Sequence, residues 1–161
     1  MQNDYASKVK RHLILAEGFR DYVYKDSLGK LTGGVGHLLS LSEQELYPLD
    51  TNIPEDILYR WYEKDTEKAM DATDRQIKFL DKAKQVEELK VALVSVNFQL
   101  GSGWTRKFPT AWSHMKNGKW GRDIQEIKYR KEGSAELSSW NKQTPRRVKD
   151  FVSALEAQLH G

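Results

Sequence analysis

H-L-I-L-A-E-G-F-R-D-Y-V-Y-K-D-S-L-G-K-L-T-G-G-V-G-H-L-L, residues His12 to Leu39, decides how the rest of the chain is read. It opens as the end of a helix that stops at Gly18, with Glu17 the last residue before the stop. A β-like run follows from Tyr22 to Lys25, then the turn Asp26-Ser27-Leu28-Gly29, then a second extended segment carrying Thr32. The glycine-rich bend Gly33-Gly34-Val35-Gly36 leads into His37 and Leu38. Glu17 is poorly placed for stability, because a helix C-terminus carries partial negative charge. The same field raises a carboxyl pKa, which is what a general acid near neutral pH needs. Asp26 has the opposite character. A turn aspartate accepts backbone N–H bonds, stays solvated and so stays ionised.

Two carboxyl groups pushed apart in pKa, delivered by a helix end and a hairpin, are the parts of a glycosidase. The Thr32 hydroxyl on the returning strand is positioned to hold a water beside Asp26. Taken singly, each acid also fits an ordinary role, Glu17 as a solvated helix-end residue and Asp26 as a turn former.

The order Glu17-Gly18-Phe19-Arg20, Tyr24-Lys25-Asp26-Ser27-Leu28-Gly29, Thr32-Gly33-Gly34-Val35-Gly36-His37 resembles the phage-type lysozymes, the muramidases of the T-even coliphages in glycoside hydrolase family 24. Glu17, Gly18 and Arg20 match that family's Glu-Gly-x-Arg. Tyr24, Asp26 and Gly29 match its Tyr-x-Asp-x-x-Gly, and Thr32, Gly34, Gly36 and His37 match its Thr-x-Gly-x-Gly-His. The resemblance implies that Glu17 protonates the leaving glycosidic oxygen while Asp26 and Thr32 position and activate water. It also implies substrate-binding or supporting roles for Leu38, Phe98, Arg147 and His37. Gly33 departs from the pattern, standing where the family usually has a β-branched residue. Glycine in a strand costs roughly 0.5–1 kcal/mol and adds freedom beside Thr32.

Working outward, Tyr5, Val9, His12, Leu13 and Ala16 fall on one helical face before Glu17. Past the hairpin, Ser40-Leu41-Ser42-Glu43 and Ser42-Glu43-Gln44-Glu45 both read as capping boxes for a short helix ending before Pro48. Thr51-Asn52-Ile53-Pro54 reads as a cap followed by a proline early in a helix running to about Phe79. Its apolar stripe is Ile57, Leu58, Trp61, Tyr62, Ala69 and Ala72. At ~1.5 Å per residue such a helix spans over 30 Å, enough to link two lobes.

Val86 to Leu100 is apolar on most sides and belongs in a core. Gly101-Ser102-Gly103 ends it, and Phe98 within it suits either the floor of a cleft or the core. Phe108-Pro109 opens a helix through Met115, and Asn117-Gly118 turns into another carrying Trp120, Ile124 and Ile127. The segment from Lys128 to Ser138 looks like an insertion. In Trp140-Asn141-Lys142-Gln143-Thr144-Pro145-Arg146-Arg147, Thr144 reads as an N-cap and Pro145 as the first helical residue. The family shares this W-x-x-Q-T-P-x-R arrangement, which implies that Arg147 reaches the catalytic glutamate. An arginine partner alone lowers an acid's pKa, so burial must oppose it.

Pattern and resemblance together give an α+β fold, mostly α, with two lysozyme-like lobes in a single domain over 1–161. A small antiparallel-sheet lobe covers about 18–53, a linking helix 54–79, and a helical lobe 80–161 together with 1–17. A length of 161 residues suits one domain or two lobes sharing a core. With 39% hydrophobic and 30% charged residues, the composition is that of an ordinary globular chain. No run approaches the ~20 apolar residues of a membrane span, so stable membrane insertion is not expected. The polar start, M-Q-N-D-Y-A-S-K-V-K-R-H, lacks the apolar core of a signal peptide. The expected location is therefore the host cytoplasm until a holin-like partner releases the enzyme to the wall in the periplasm.

With zero cysteines, disulfides and thiolate-bound metal are excluded. The net charge of +3 and pI near 9.0 favour anionic partners without choosing among them. The histidines at 12, 37, 114 and 160 lack zinc-site spacing, so no metal or cofactor is expected, and His37 suits a structural carboxylate pair, perhaps on the long helix. The glycine bend lacks phosphate-loop spacing, and Gly101-Ser102-Gly103 is no nucleophile elbow. Of the 5 tryptophans, helical spacing assigns most to the core and at most one to the cleft.

The reading is thus a monomeric muramidase that cleaves β-1,4 bonds between N-acetylmuramic acid and N-acetylglucosamine in peptidoglycan, with no nucleic-acid partner. A lytic transglycosylase would use Glu17 alone. A non-catalytic wall-binding module would be indifferent to Glu17→Gln. A DNA-binding protein would need a helix-turn-helix that the spacing does not show.

Overall fold

Short amphipathic segments, few of which could bury enough area alone, are gathered around one helix that is apolar nearly all round. In the computed structural model, residues 2–84, 86–129 and 136–160 are described. The elements are α1 (Gln2–Glu17), β1 (Arg20–Lys25), β2 (Leu31–Gly34), β3 (His37–Leu38), α2 (Leu41–Leu46), α3 (Glu55–Ile77), α4 (Val86–Leu100), α5 (Trp104–Lys107), α6 (Pro109–Lys116), α7 (Trp120–Lys128), α8 (Ser139–Gln143) and α9 (Pro145–His160). The fold is α+β and mostly α, with two lysozyme-like lobes.

The helix α4 occupies the centre, as its composition dictates. Leu89, Leu93 and Val94 are each 0% exposed, and α1, α3 and α9 pack around it. The main core joins Leu89, Leu93 and Val96 to Trp104, Met115, Trp120, Trp140, Phe151 and Leu155. A second cluster sets Val9 and Leu13 of α1 against Val94 and Ala69, and a third packs Val23, Leu39 and Ile53 on Trp61. The α3 helix touches the second and third clusters, so it runs from the sheet to the helical body. A buried polar network fastens α3 to α4. The Asn97 amide donates to Thr73 Oγ1 at 3.0 Å and Gln76 Oε1 at 2.9 Å, and Gln76 donates back to Asn97 at 3.0 Å. Every member is partnered, so the network holds the two helices in one register.

The sheet is antiparallel in the order β1-β2-β3, with Tyr24 paired to Thr32 and Thr32 to Leu38. Paired residues point to the same face, so Tyr24, Thr32 and Leu38 form one cross-strand row. Gly33 pairs with His37. A Cβ at Gly33 would stand 2.5 Å from Ile53 Cδ1, so Ile53 fills the space that a β-branched side chain would need. The glycine is compensated from across the hairpin.

Several sequence expectations require correction. Thr51 does not cap α3; Pro54 holds that position and no side chain caps it. The Thr51 backbone is spent on the sheet, its carbonyl accepting from Val23 N at 2.9 Å, next to a Tyr22–Asn52 bridge. The long helix ends at Ile77 rather than about Phe79. Of the two capping boxes, Ser40 with Glu43 is the one used. Thr144 stands at the N-cap of α9, its carbonyl accepting from Val148 N at 3.2 Å, but its hydroxyl accepts from Gln99 and donates to the Trp140 carbonyl rather than bonding the helix end. The expected insertion from Lys128 to Ser138 falls partly outside the described residues; Tyr129 bridges to Leu137 at its ends.

Candidate active site

Glu17 closes α1, whose last turn carries no basic residue, and Gly18 turns the chain at φ 75°. The glutamate side chain, 15% exposed, is held from two directions. Its Oε1 accepts from Arg147 Nη1 in a charge-assisted bond. Its other oxygen lies against Gly36, where φ is 59° and an added Cβ would overlap the carboxylate. Glycine there serves both needs, a left-handed backbone and a bare Cα under the acid. Arg147 is itself anchored, with Nη2 donating to the Ser95 carbonyl and Ser95 Oγ, each at 2.9 Å. Acid, arginine and serine come from α1, α9 and α4.

Asp26 sits at the hairpin turn as turn chemistry requires. One oxygen, Oδ1, accepts from Leu28 N at 2.9 Å and Lys30 N at 2.8 Å. Both bonds fall on the same oxygen and leave the second one open to a ligand. Thr32, 3% exposed, donates to the Lys30 carbonyl at 3.0 Å, with its oxygen lone pairs still able to accept.

Tyr24 relates the two acids. Burial raises its phenol pKa; Arg20, 4.5 Å over the ring, opposes this, while the charges of Glu17 and Asp26 both raise it further. Both carboxylates are therefore near enough to act on one phenol, in the same cross-strand row as Thr32.

From Gly36 a groove of about 950 Å³ runs along α3, bordered by His37, Leu38, Trp61, Asn97, Phe98 and Ser102. Leu38 is 50% exposed on its lip. Phe98 is half-buried and does both things open to it, packing on the second cluster and lining the groove. Trp61 is the tryptophan that borders this groove, 8% exposed and stacked on His37 at 4.2 Å between ring centroids. His37 Nδ1 bonds Asp65 of α3 at 2.6 Å, and Nε2 bonds Glu43 of α2 at 2.9 Å. Burial lowers the His37 pKa, but the hydrogen bonds and charges of Asp65 and Glu43 outweigh it, so the net shift is upward. His37 thus ties β3 to two helices. Among the described residues, no group of three His, Asp or Glu is arranged to hold a metal ion.

Sequence reasoning passed over Ser95, the pairing of Glu43 with His37 and the close approach at Gly36. The glycine was inside a recognised motif, whereas Ser95 carries no local signal because its role is set by α9 packing beside α4.

The family model described as phage lysozyme matches residues 15–156, which include every one of these side chains. The chain belongs to the phage lysozyme family. Two relatives from Dictyostelium discoideum agree over nearly the full length. One named "Probable T4-type lysozyme 1" is 26% identical over 171 residues, covering 93% of this chain and 94% of its own. Another named "Probable T4-type lysozyme 2" is 24% identical over 168 residues, with coverage of 93% and 94%. As a phage lysozyme the chain is, at family level, a muramidase-like peptidoglycan hydrolase with glycoside hydrolase activity.

Proposed function

We propose that this lysozyme hydrolyses the β-1,4 bond between N-acetylmuramic acid and N-acetylglucosamine with inversion at the anomeric carbon. Glu17 delivers the proton to the leaving oxygen, and Asp26 with Thr32 holds the attacking water on the opposite face of the sugar ring. The carrying observation is the contrast between the two acids. Glu17 is enclosed by Arg147 and Gly36, while Asp26 is a turn carboxylate with backbone donors on one oxygen. An enclosed acid and a solvated, hydrogen-bonded acid are the division of labour that an acid–base glycosidase uses. The Arg147 bond fixes the direction in which the Glu17 carboxyl points. Gly36, which borders the groove, keeps side-chain bulk away from that carboxyl. Lone pairs of Thr32 and the open oxygen of Asp26 form the cradle for water.

Purified parent, Glu17→Gln and Asp26→Asn proteins added to peptidoglycan test this. The parent is expected to clear turbidity and release reducing ends, Glu17→Gln to lose at least about a thousandfold in rate, and Asp26→Asn to lose most of it. Anhydro ends in place of reducing ends would transfer the site to transglycosylation. Clearing by Glu17→Gln at the parent rate would remove Glu17 as the acid.

A further inference from the structure

Helices α1 and α9 carry Glu17 and Arg147, yet they are seated in different cores. Val9 and Leu13 of α1 are buried in the second cluster, whereas Val148, Phe151, Val152 and Leu155 of α9 are buried in the main one. Both helices pack on α4. Between them lies a hollow of about 760 Å³, lined by His12 and Leu15 of α1, Val91 and Ala92 of α4, and Asp150 and Ala154 of α9. Among the described residues, two hydrogen-bonded side-chain pairs cross from α1 to α9. One is Glu17–Arg147; the other joins His12 Nε2 to Asp150 Oδ2 at 2.6 Å, 138 positions apart in the chain. At ~1.5 Å per residue, His12 stands about 7.5 Å before Glu17 along α1, and Asp150 about 4.5 Å beyond Arg147 along α9. A single link leaves a helix free to pivot about it. Two links spaced along the axis fix tilt and slide together.

We propose that His12 and Asp150 form a positioning clamp that holds α1 against α9, and so keeps the Glu17 carboxyl in register with Arg147 through the catalytic cycle. The inference rests on Glu17 as the proton donor. To donate, Glu17 must first carry the proton, and in that form its bond to Arg147 loses its ionic part and weakens. After transfer to the leaving oxygen, the carboxylate and its ion pair return. The site's own ion pair is therefore weakest when aim matters most, and a misplacement of about 1 Å costs on the order of a hundredfold in rate. His12 and Asp150 line the hollow rather than the catalytic groove, so their bond keeps one form throughout. With side chains 25% and 39% exposed, the pair adds little to folding stability. Its effect falls on the aim of the acid.

The test measures kcat and KM on soluble peptidoglycan strands for the parent, His12→Leu, Asp150→Ala, their double variant and His12→Gln, whose amide can still donate to Asp150. His12→Leu and Asp150→Ala are each expected to lose about tenfold in kcat with KM within about twofold, because the aim slackens and the groove is untouched. The double variant should lose no more than either single one, since both remove the same link. His12→Gln should return to within about threefold of the parent, because the link is remade. Asp150→Ala set beside Asp150→Asn, which keeps an acceptor, repeats the comparison from the other helix should His12→Leu not fold. Melting midpoints should fall by less than about 4 °C, as for a partly exposed pair. Parent-like kcat in both single variants overturns the inference, as do losses that add in the double variant or a loss that His12→Gln shares. A kcat loss that comes with a melting drop of more than about 10 °C makes the pair a fastener of the fold and overturns it too. Glu17→Gln run alongside separates the two readings. If it keeps the parent rate, the proton-donor reading fails and takes the clamp with it. If it is inactive while His12→Leu and Asp150→Ala are parent-like, the clamp alone fails.

Discussion

Arg147 and Asp123 are both buried charged residues, on helices that pack against each other, and they are treated in opposite ways. The Arg147 guanidinium, on a residue 9% exposed, is met by Glu17, the Ser95 carbonyl and the Ser95 hydroxyl. Asp123 on α7 is 0% exposed and, among the described residues, neither of its oxygens has a partner. Burial, with Glu126 second, pushes its pKa up to about 8, so the group is mostly a neutral acid at pH 7. The arginine shows what a working site looks like, with donors and acceptors from three elements converging on a carboxylate beside a groove. Asp123 shows that burial of a titratable group does not by itself make a site.

The largest expected effect is on the partnered side. Arg147→Met should lower the unfolding free energy by about 3–5 kcal/mol, since it strands Glu17 and two Ser95 acceptors. Denaturant titration measures this, and a loss below about 1 kcal/mol would erase the contrast with Asp123.

The opposite sign is expected at the unpartnered group. In the fold Asp123 keeps its proton up to about 8, whereas the unfolded chain loses it near 3.8. Stability is therefore lost progressively as pH rises between those values, at up to about 1.4 kcal/mol per unit. Asp123→Asn should be more stable than the parent by roughly 2–4 kcal/mol at pH 7. Melting curves across pH should show that gain widening from pH ~5 to ~7 and vanishing near pH ~3. A pH-independent difference would show that packing, not ionisation, separates the two proteins.

The smallest effect sharpens an intermediate case, the half-buried His37 with its two acids. His37 is shifted up from 6.5, so its contribution is complete below about 6.5 and is lost as pH rises through its folded pKa. Burial raises the Glu43 pKa, but the Ser40 backbone bond and His37 outweigh it, so the net shift is down from 4.5. The Glu43 part is thus present above about 4.5 and fades as pH falls through its folded value. His37→Asn should cost about 1–2 kcal/mol near pH ~5.5 and less near pH ~9. Thermal midpoints of both proteins across that range measure it, and a deficit that grows above pH ~7 would reverse the assignment.

Much of this architecture was legible because local and tertiary forces agree. Val86–Leu100 is apolar on nearly every side, and a helix of that extent forms. Gly18 ends α1 at Glu17, and the spacing from Thr144 to Arg147 starts α9 at Pro145. The misses are places where a neighbour distant in sequence took the group that a local rule had assigned. Val23 took the Thr51 carbonyl and Gln99 took the Thr144 hydroxyl. The α5 helix, Trp104–Lys107, is too short to show a period. At the site, the hairpin and helix-end acids were visible in the motif, and Arg147 in its family arrangement. Ser95 becomes meaningful only once α9 is in place beside α4. Asp123 borders an apolar stripe of Trp120, Ile124 and Ile127, where sequence alone reads a charge as the edge of the buried face.

Glu17 and Arg147 lie 130 positions apart in the chain. At about 5–20 residues per second, on the order of ten seconds separate their synthesis on the ribosome. Through that interval the emerging acid lacks its guanidinium, and even after α4 is complete at Leu100 the α9 surface is still missing. A nascent or prematurely terminated product lacking α9 therefore carries a carboxylate with nothing to aim it. With Glu17 as the proposed acid, competence to cut arrives late in translation, all at once, when the last helix docks.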